Sequence, residues 1–361
     1  MIQKKSKLNF LLLISKYKFN SKAELDYYYH ITNSLKYCNY KYLLVSFDKK
    51  NNINNIKEIK SFLKKKNVTI LAEANIEYNY LYPNTFLDLI KKSKHKIISF
   101  FADIDKNQLK SKFIELSDFV LMFDKTYVDW CNKNLTINKF YYIHSFPIVK
   151  KAKCSFSNFK SRYYDIFYSG SKKNFRYNFI NSLFKLCEKK YFFFFNFLDN
   201  KNLISNTYLS YFNTLIRSKF YFCTRAGLYE NNPFSKFSYS KGRYAGRISE
   251  AIAAGCIPIY WQPKKPNNFL DKFILKNRFY RFKYSNSFFM GDKNSRPYDV
   301  FDENFKDMML IVDSPQDLID QISSLTENQI SRKLQLINIF YRKFIFPSVF
   351  FRKIFNLVLA K

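Results

Sequence analysis

Glycine is scarce in this sequence, with six residues in 361. The six cysteines are scattered without a C-x-x-C pair, so neither a disulfide framework nor a structural zinc site is predicted. No apolar run reaches the roughly 18 residues that a membrane-spanning helix requires. The apolar run 8–14 is followed by Ser-Lys-Tyr-Lys instead of a cleavage site, which favours a buried strand over a signal peptide. We expect a soluble, cytoplasmic protein.

Acidic residues are also few, with 28 Asp+Glu against 61 Lys+Arg and a formal net charge of +33. Such a charge could attract nucleic acid, phosphorylated ligands or anionic membranes. Lys, Asn, Ile, Phe and Tyr are abundant throughout, however, as an A+T-rich coding sequence would make them. Charge alone therefore assigns no partner. The hydrophobic share of 47% excludes disorder as the main state.

Arginine is absent from the first 160 residues, and all 12 arginines follow Ser161. A planar guanidinium binds phosphate through two parallel hydrogen bonds, which a lysine ammonium cannot do. We therefore expect an anion-binding site in the second half of the chain.

Short apolar segments alternate with amphipathic ones through the first 150 residues, which is typical of a parallel sheet covered by helices. The predicted strands lie at 7–14, 42–48, 68–74, 96–103, 118–124 and 139–147, and the predicted helices at 22–36, 55–66, 86–94, 106–116 and 125–134. We predict a Rossmann-like domain over 1–150.

The alternation resumes after a basic stretch at 147–159 that shows no periodicity. The predicted strands are 162–170, 191–198, 219–227, 256–261, 278–284 and 308–314, with helices at 176–188 and from about 246. The four phenylalanines at 192–195 are interpreted as a buried strand. A second Rossmann-like domain is predicted over 155–325, with closing helices over 326–361. The predicted fold class is α/β, with two doubly wound domains facing a ligand-binding cleft.

Glycine clusters in one segment, GRYAGRISEAIAAGCIPIYW at 242–261, which contains Gly242, Gly246 and Gly255. In a chain so poor in glycine, this clustering indicates backbone positions that need a positive φ or lie close to a ligand.

A helix beginning near Gly246 would direct its first N–H groups and its positive dipole end toward a ligand, which suits a diphosphate. Arg243 and Arg247 flank that helix start, and Glu250 could accept hydrogen bonds from sugar or ribose hydroxyls. The alternative is purely structural, with Gly246 and Gly255 bounding the helix and Glu250 favoured by its dipole.

The string S-E-A-I-A-A-G-C-I-P-I-Y-W resembles the donor-binding signature of GT-B glycosyltransferases. The α-1,3-fucosyltransferase family carries G-Y-V-T-E-K-I followed by hydrophobic-P-hydrophobic-Y-W, which 246–252 and 257–261 resemble, with Arg247 in place of Tyr and Ala251 in place of Lys. The exostosin-like family carries S-K-F-x-hydrophobic-C-x-R-G before E-A-I-x-x-G-C-I-P-V. Similar residues here are Ser218, Lys219, Phe220, Cys223, Arg225 and 250–259.

The fucosyltransferase-like resemblance extends more loosely over 97–325. YSGSKKNFRYN at 168–178 is similar to a strand, polar loop and helix in which Arg176 would take the place of a diphosphate-binding arginine. Ser169 and Gly170 would cradle phosphate or form a turn. In the first half, Asp103 or Asp105 stands where the family has a carboxylate base, which makes these two the candidate catalytic residues. Glu73 and His30 are weaker candidates for that base.

Asp103 and Asp105 also form a D-x-D motif, which can share a divalent cation with diphosphate oxygens. Asp105 could alternatively cap a helix. Since the resemblance places a complete nucleotide-binding half downstream, a GT-B enzyme requires no metal, and we expect neither a metal nor another cofactor.

The resemblance implies a glycosyltransferase that moves a sugar from a nucleotide-sugar donor to a glycan or lipid-linked acceptor, with a GDP-sugar such as GDP-fucose favoured. Inversion is preferred because the positions eight residues from Glu250 are Gly242 and Pro258, not a second Glu. Arg176, Arg225, Arg243 and Arg247 would neutralise the diphosphate. The alternatives are an exostosin-like UDP-sugar enzyme and a non-catalytic sugar-binding relative.

A basic nucleic-acid-binding protein is the rival from another class. It would need exposed aromatic side chains interleaved with basic ones, and no nucleic-acid partner is expected. The terminal segment PSVFFRKIFNLVLAK is expected to pack against a domain, with peripheral contact at the anionic inner membrane face as the alternative.

Overall fold

The computed structural model describes residues 8–15, 25–47, 56–73, 84–100, 112–123, 125–135, 138–150, 152, 154–171, 174–187, 191–198, 208–223, 246–261 and 303–359. The chain divides into two compact units, the first comprising Met1–Val149 and Phe346–Lys361 and the second Lys150–Ile345. Each unit contains one parallel sheet with helices, as the predicted α/β class requires.

The described strands are numbered along the chain. They are β1 (Asn9–Ser15), β2 (Lys41–Phe47), β3 (Val68–Glu73), β4 (Lys96–Phe100), β5 (Phe119–Met122), β6 (Phe140–Tyr142), β7 (Tyr164–Ser171), β8 (Phe193–Leu198), β9 (Ser218–Cys223), β10 (Ile257–Trp261) and β11 (Leu310–Val312). Each lies within or next to a predicted strand, and the predicted strand 278–284 lies outside the described residues.

The described helices are numbered in the same way. They are α1 (Leu25–Tyr37), α2 (Ile56–Leu63), α3 (Asn84–Lys92), α4 (Lys112–Leu116), α5 (Lys125–Asn134), α6 (Phe156–Lys160), α7 (Asn174–Leu186), α8 (Tyr208–Ile216), α9 (Gly246–Ala253), α10 (Glu303–Lys306), α11 (Pro315–Ser324), α12 (Glu327–Phe340) and α13 (Pro347–Leu359). A π-helical turn, Tyr341–Ile345, joins α12 to α13. The helices α6, α8 and α10 are not among those that the sequence predicts.

The sheet of the first unit has six parallel strands in the order β2-β1-β3-β4-β5-β6. Both of its faces are buried, which explains why the strands are apolar at nearly every position. On one face Leu11 and Ile70 belong to a core cluster with residues of α2 and α3. On the other face Phe10 and Leu12 pack in a second cluster with residues of α1 and α13.

The C-terminal helix α13 belongs to the first unit, although it is more than 300 residues from β1. Phe351 is fully buried, with its ring centroid 5.4 Å from that of Phe10 and 5.1 Å from that of Tyr40. The apolar face of the terminal segment thus packs against a domain. Among the helices that the structure describes, none has both the length and the apolarity that crossing a bilayer requires.

The sheet of the second unit has five strands in the order β11-β10-β9-β7-β8. Among the strands that the structure describes, β8 therefore lies at an edge of this sheet, which corrects the interpretation of the phenylalanine run as a buried strand. Phe192 is 56% exposed and Phe194 is 38% exposed, so the phenylalanine run is not a buried strand. An edge strand is paired on one side only, and alternate side chains of the run point to opposite faces of the sheet.

Arg162 has a structural role at the beginning of the second sheet. Its guanidinium donates to the backbone oxygens of Ser218 at 2.7 Å and Ala254 at 2.9 Å. Ala254 follows the last residue of α9, so the guanidinium satisfies a carbonyl that the helix itself leaves unpaired. At least one of the 12 arginines that follow Ser161 thus stabilises the fold instead of binding an external anion.

Candidate functional site

A doubly wound sheet binds ligands outside the carboxyl ends of its strands, at the point where the strand order reverses. In the second unit β7 lies between β8 and β9, so the order reverses between β7 and β9. Ser169 and Gly170 are near the carboxyl end of β7, and Cys223 ends β9. This crevice is the candidate functional site.

The helix α9 begins at Gly246, as predicted. It ends before Gly255, whose φ of 69° places it in the left-handed region and whose N–H donates to the Ile252 oxygen at 3.0 Å. A residue with a Cβ would be strained there, so the predicted helix-ending role of this glycine is confirmed. Arg247 and Glu250 lie three residues apart on one face of the helix.

Glu250 is the buried carboxylate of the site, with 7% of its surface exposed. Its Oε2 accepts hydrogen bonds from the Tyr211 hydroxyl at 2.7 Å and from Arg247 Nη1 at 3.2 Å. Burial of an ionised carboxylate is costly unless charged and hydrogen-bonding partners offset the loss of water. The two donors supply that compensation, so the site holds Glu250 as a carboxylate.

Two tyrosines connect Glu250 to the end of β7. The hydroxyls of Tyr211 and Tyr221 are 3.1 Å apart, and the Tyr221 hydroxyl lies 3.3 Å from the Ser169 backbone oxygen. Since each phenol has one proton and that of Tyr211 goes to Glu250, these are polar contacts that cannot all be hydrogen bonds at once. Burial raises the pKa of Tyr221 above its usual value, which keeps the phenol neutral. The network thereby joins two predicted donor-binding segments, one at Ser169 and one at Glu250.

Cys223 lies beside this network but is a poor nucleophile. Burial raises the pKa of its thiol well above the usual value, and the nearby Glu250 carboxylate raises it further. Since the thiolate is the reactive form, the protonated thiol acts as a small apolar side chain at neutral pH.

Of the other predicted donor-binding residues, the structure describes three and leaves two outside its described ranges. Arg176 is the third residue of α7, the helix after β7, so its backbone lies at the carboxyl edge of the sheet. Ser169 and Gly170 are part of β7, so the alternative that they form a turn is wrong. Arg225 and Arg243 lie outside the described residues.

The first unit has a reversal of its own, between β1 and β3. Glu73 is the last residue of β3 and is half-buried, so it lies at the carboxyl end of a strand that borders this reversal. His30 is 4% exposed within α1. The predicted base candidates Asp103 and Asp105 lie outside the described residues.

Two predicted alternatives for the site are an aromatic pocket for the nucleotide base and a metal site. Tyr260 and Trp261 are 2% and 1% exposed and belong to the core. In the part of the chain that the structure describes, no group of three or more His, Cys, Asp or Glu side chains could hold a metal ion.

Comparison with known proteins identifies the fold. No protein-family model and no curated protein sequence matches the chain. A solved α-glucosyltransferase in complex with UDP and a 13-mer DNA with a central A:G mismatch is similar over 98% of this chain and 100% of its own, with a TM-score of 0.50 and 10% identity. The spinosyn forosaminyltransferase SpnP covers 99% of this chain and 100% of its own, with a TM-score of 0.46 and 9% identity.

An α1,3-fucosyltransferase is also similar, over 93% of this chain and 82% of its own, with a TM-score of 0.37 and 11% identity. At such identities the similarity concerns the fold alone. The similarity to the α-glucosyltransferase, together with the two parallel sheets and their helices, confirms the α/β class with two Rossmann-like domains of the GT-B fold.

Proposed function

We propose that this protein is a glycosyltransferase whose second unit binds a nucleotide-sugar donor. The observation that carries the proposal is the buried Glu250 carboxylate, paired with Arg247 in the first turns of α9 at the strand reversal. A buried carboxylate beside a cation and a helix N-terminus can bind a ligand that carries both hydroxyls and a diphosphate.

In the proposed reaction the bond from the anomeric carbon to the diphosphate oxygen breaks, and the nucleoside diphosphate leaves with the electron pair. Arg176, Arg225, Arg243 and Arg247 and the N–H groups of α9 would stabilise this leaving group. Glu250 would accept hydrogen bonds from donor hydroxyls. A hydroxyl oxygen of the acceptor forms the new bond to the anomeric carbon.

The proton of that hydroxyl passes to a carboxylate of the first unit, which acts as general base. Asp103 is the first candidate and Asp105 the second. Glu73 is the third, supported by its position at the strand reversal of the first sheet. We propose inversion without a metal, because this scheme uses one base and leaves the diphosphate to arginines.

The finer assignments rest on the sequence resemblance. The fucosyltransferase-like string around Glu250 supports a GDP-sugar such as GDP-fucose as donor, and a glycan or lipid-linked glycan as acceptor. The exostosin-like features around Arg225 support a UDP-sugar instead.

Donor turnover tests the proposal through two variants in separate segments. Glu250→Ala and Arg176→Ala should each reduce the release of nucleoside diphosphate from the active sugar nucleotide by roughly 30- to 1000-fold, since each removes a charged contact. Arg332→Ala is the matched control, because this arginine is 72% exposed and pairs with the exposed Asp307. Unchanged turnover in both site variants would contradict the proposed donor site.

One observation favours nucleic-acid binding as a second candidate function. The exposed ring of Phe192 lies 5.1 Å from that of Tyr163, which is 57% exposed. The guanidinium of Arg217 lies 5.7 Å from the Tyr163 ring centroid. Exposed aromatic rings beside a cation can stack on bases. A single-stranded oligonucleotide that binds less tightly with rising salt, and less tightly to Phe192→Ala, would support this candidate.

A further inference from the structure

Tyr211 contacts both members of the partly buried Arg247–Glu250 ion pair at the candidate donor site. Its hydroxyl donates to Glu250 Oε2 at 2.7 Å, and its ring centroid lies 4.8 Å from the guanidinium carbon of Arg247. Tyr211 is itself buried, with 8% of its surface exposed. One side chain therefore orients the carboxylate through its hydroxyl and the guanidinium through its ring face.

The position of Tyr211 comes from the sheet order. It lies on α8, which leads into β9, whereas Glu250 lies on α9, which leads into the adjacent β10. The Tyr221 hydroxyl, 3.1 Å from the Tyr211 hydroxyl, extends the network to β7. The Tyr211 hydroxyl therefore contacts Tyr221 as well as Glu250.

We propose that Tyr211 is a positioning residue that fixes the orientation and ionised state of Glu250 for binding the hydroxyl-bearing part of the donor. This inference rests on the proposed function, because it assigns Glu250 to the donor. The diphosphate would be bound by the arginines and the N–H groups of α9, so the Tyr211 hydroxyl should matter only for ligands with sugar or ribose hydroxyls.

The groups around Glu250 determine how its binding role should depend on pH. Arg247 on its own helix is a cation, while Tyr221 and the Cys223 thiol on β9 have raised pKa values and stay neutral. Arg247 and Tyr211 therefore favour the ionised carboxylate. Loss of the Tyr211 hydroxyl removes a hydrogen bond to the charged form and should raise the pKa of Glu250.

Two substitutions separate the two contacts of Tyr211. Tyr211→Phe removes the hydroxyl but keeps the ring under Arg247, and it should weaken binding of the nucleoside diphosphate roughly 10- to 100-fold. Tyr211→Leu removes both contacts and should weaken binding further. Inorganic pyrophosphate, which has no sugar hydroxyls, should bind Tyr211→Phe as it binds the wild type, because the ring under Arg247 is kept. Tyr211→Leu should also weaken pyrophosphate binding, because it removes that ring. Tyr37→Phe, at an exposed tyrosine of the first unit, is the control and should change neither affinity.

A shift in the pH dependence of nucleotide affinity is a result that a merely structural role of Tyr211 would not produce. Nucleotide binding needs ionised Glu250, so affinity is lost as pH falls through its pKa. Because Tyr211→Phe should raise that pKa, its affinity should be lost at a higher pH than that of the wild type. Calorimetric titrations over a pH series measure this shift.

Carbon-13 titration of the glutamate carboxyls separates failure of this inference from failure of the proposed function. The Glu250 signal is assigned by its disappearance in Glu250→Gln. If no nucleotide binds the wild type, the proposed function fails, and a higher titration midpoint for Glu250 in Tyr211→Phe still supports the positioning role. Equal midpoints in the wild type and Tyr211→Phe would overturn it, as would equal nucleotide affinity.

Discussion

Replacement of Asp103 by asparagine is expected to reduce sugar transfer by roughly 10²- to 10⁴-fold, the usual contribution of a general base. The amide has nearly the shape of the carboxylate but cannot take the proton of the acceptor hydroxyl. Affinity for the nucleoside diphosphate should stay within about twofold of the wild type, because the donor site belongs to the second unit. Transfer is measured with a labelled donor, and affinity by calorimetry.

Asp105→Asn and Glu73→Gln are the matched comparisons, and both should retain transfer. Loss of transfer in Glu73→Gln alone would instead assign the base to the end of β3. If Asp103→Asn reduced nucleotide affinity as strongly as transfer, the residue would bind the donor, which contradicts its role as a base. A loss of affinity that depends on added Mg²⁺ or Mn²⁺ would support the D-x-D metal site.

Phe351→Ala is expected to destabilise the first unit by roughly 3–5 kcal/mol, the usual cost of deleting a fully buried phenylalanine. The ring packs against Phe10 of β1 and Tyr40, so its loss opens a cavity between α13 and the first sheet. For a unit of this size the apparent Tm should fall by roughly 10 °C. Differential scanning calorimetry measures the fall and shows whether the second unit unfolds separately.

Leu359→Ala is the control, because that side chain lies in the same helix and is 62% exposed. It should leave Tm within about 1 °C of the wild type, since surface substitutions have small effects. An equal loss of stability in the two variants would contradict the packing of α13 as described. Vesicle binding that Leu359→Ala abolishes would support the peripheral membrane alternative.

Most of the fold could be predicted from the sequence because the strands of doubly wound sheets are buried on both faces. The run FLLLI in β1 and the run FVLM in β5 are continuous apolar segments, and amphipathic segments such as IKEIKSFL separate them. The short helix α6 has five residues, too few to show a period, and its capping by Ser155 is a contact of the folded chain. The interpretation of the phenylalanine run as a buried strand is wrong because burial of β8 depends on its place in the strand order. An apolar run in the sequence does not indicate that place.

The candidate site was predictable only where its residues are local in sequence. Gly246, Arg247 and Glu250 share one helix start, so their grouping follows from spacing alone. Tyr211 is 39 residues from Glu250, and α8 was not predicted. Its hydroxyl meets the carboxylate because β9 and β10 are adjacent and parallel, which places their preceding helices side by side.

Binding of a nucleotide-sugar donor by the second unit is tested by a thermal-shift screen against GDP, UDP, CDP and dTDP, each with and without EDTA. A ligand bound only by the folded state raises its stability, by roughly 2.7 kcal/mol at 100 times Kd. We predict that GDP raises Tm by several degrees irrespective of EDTA, and that Glu250→Ala abolishes the rise. A UDP shift that EDTA removes would favour the metal-dependent alternative. If none of the four nucleotides shifts Tm at millimolar concentration, while a single-stranded oligonucleotide binds, the second unit is not a nucleotide-sugar site.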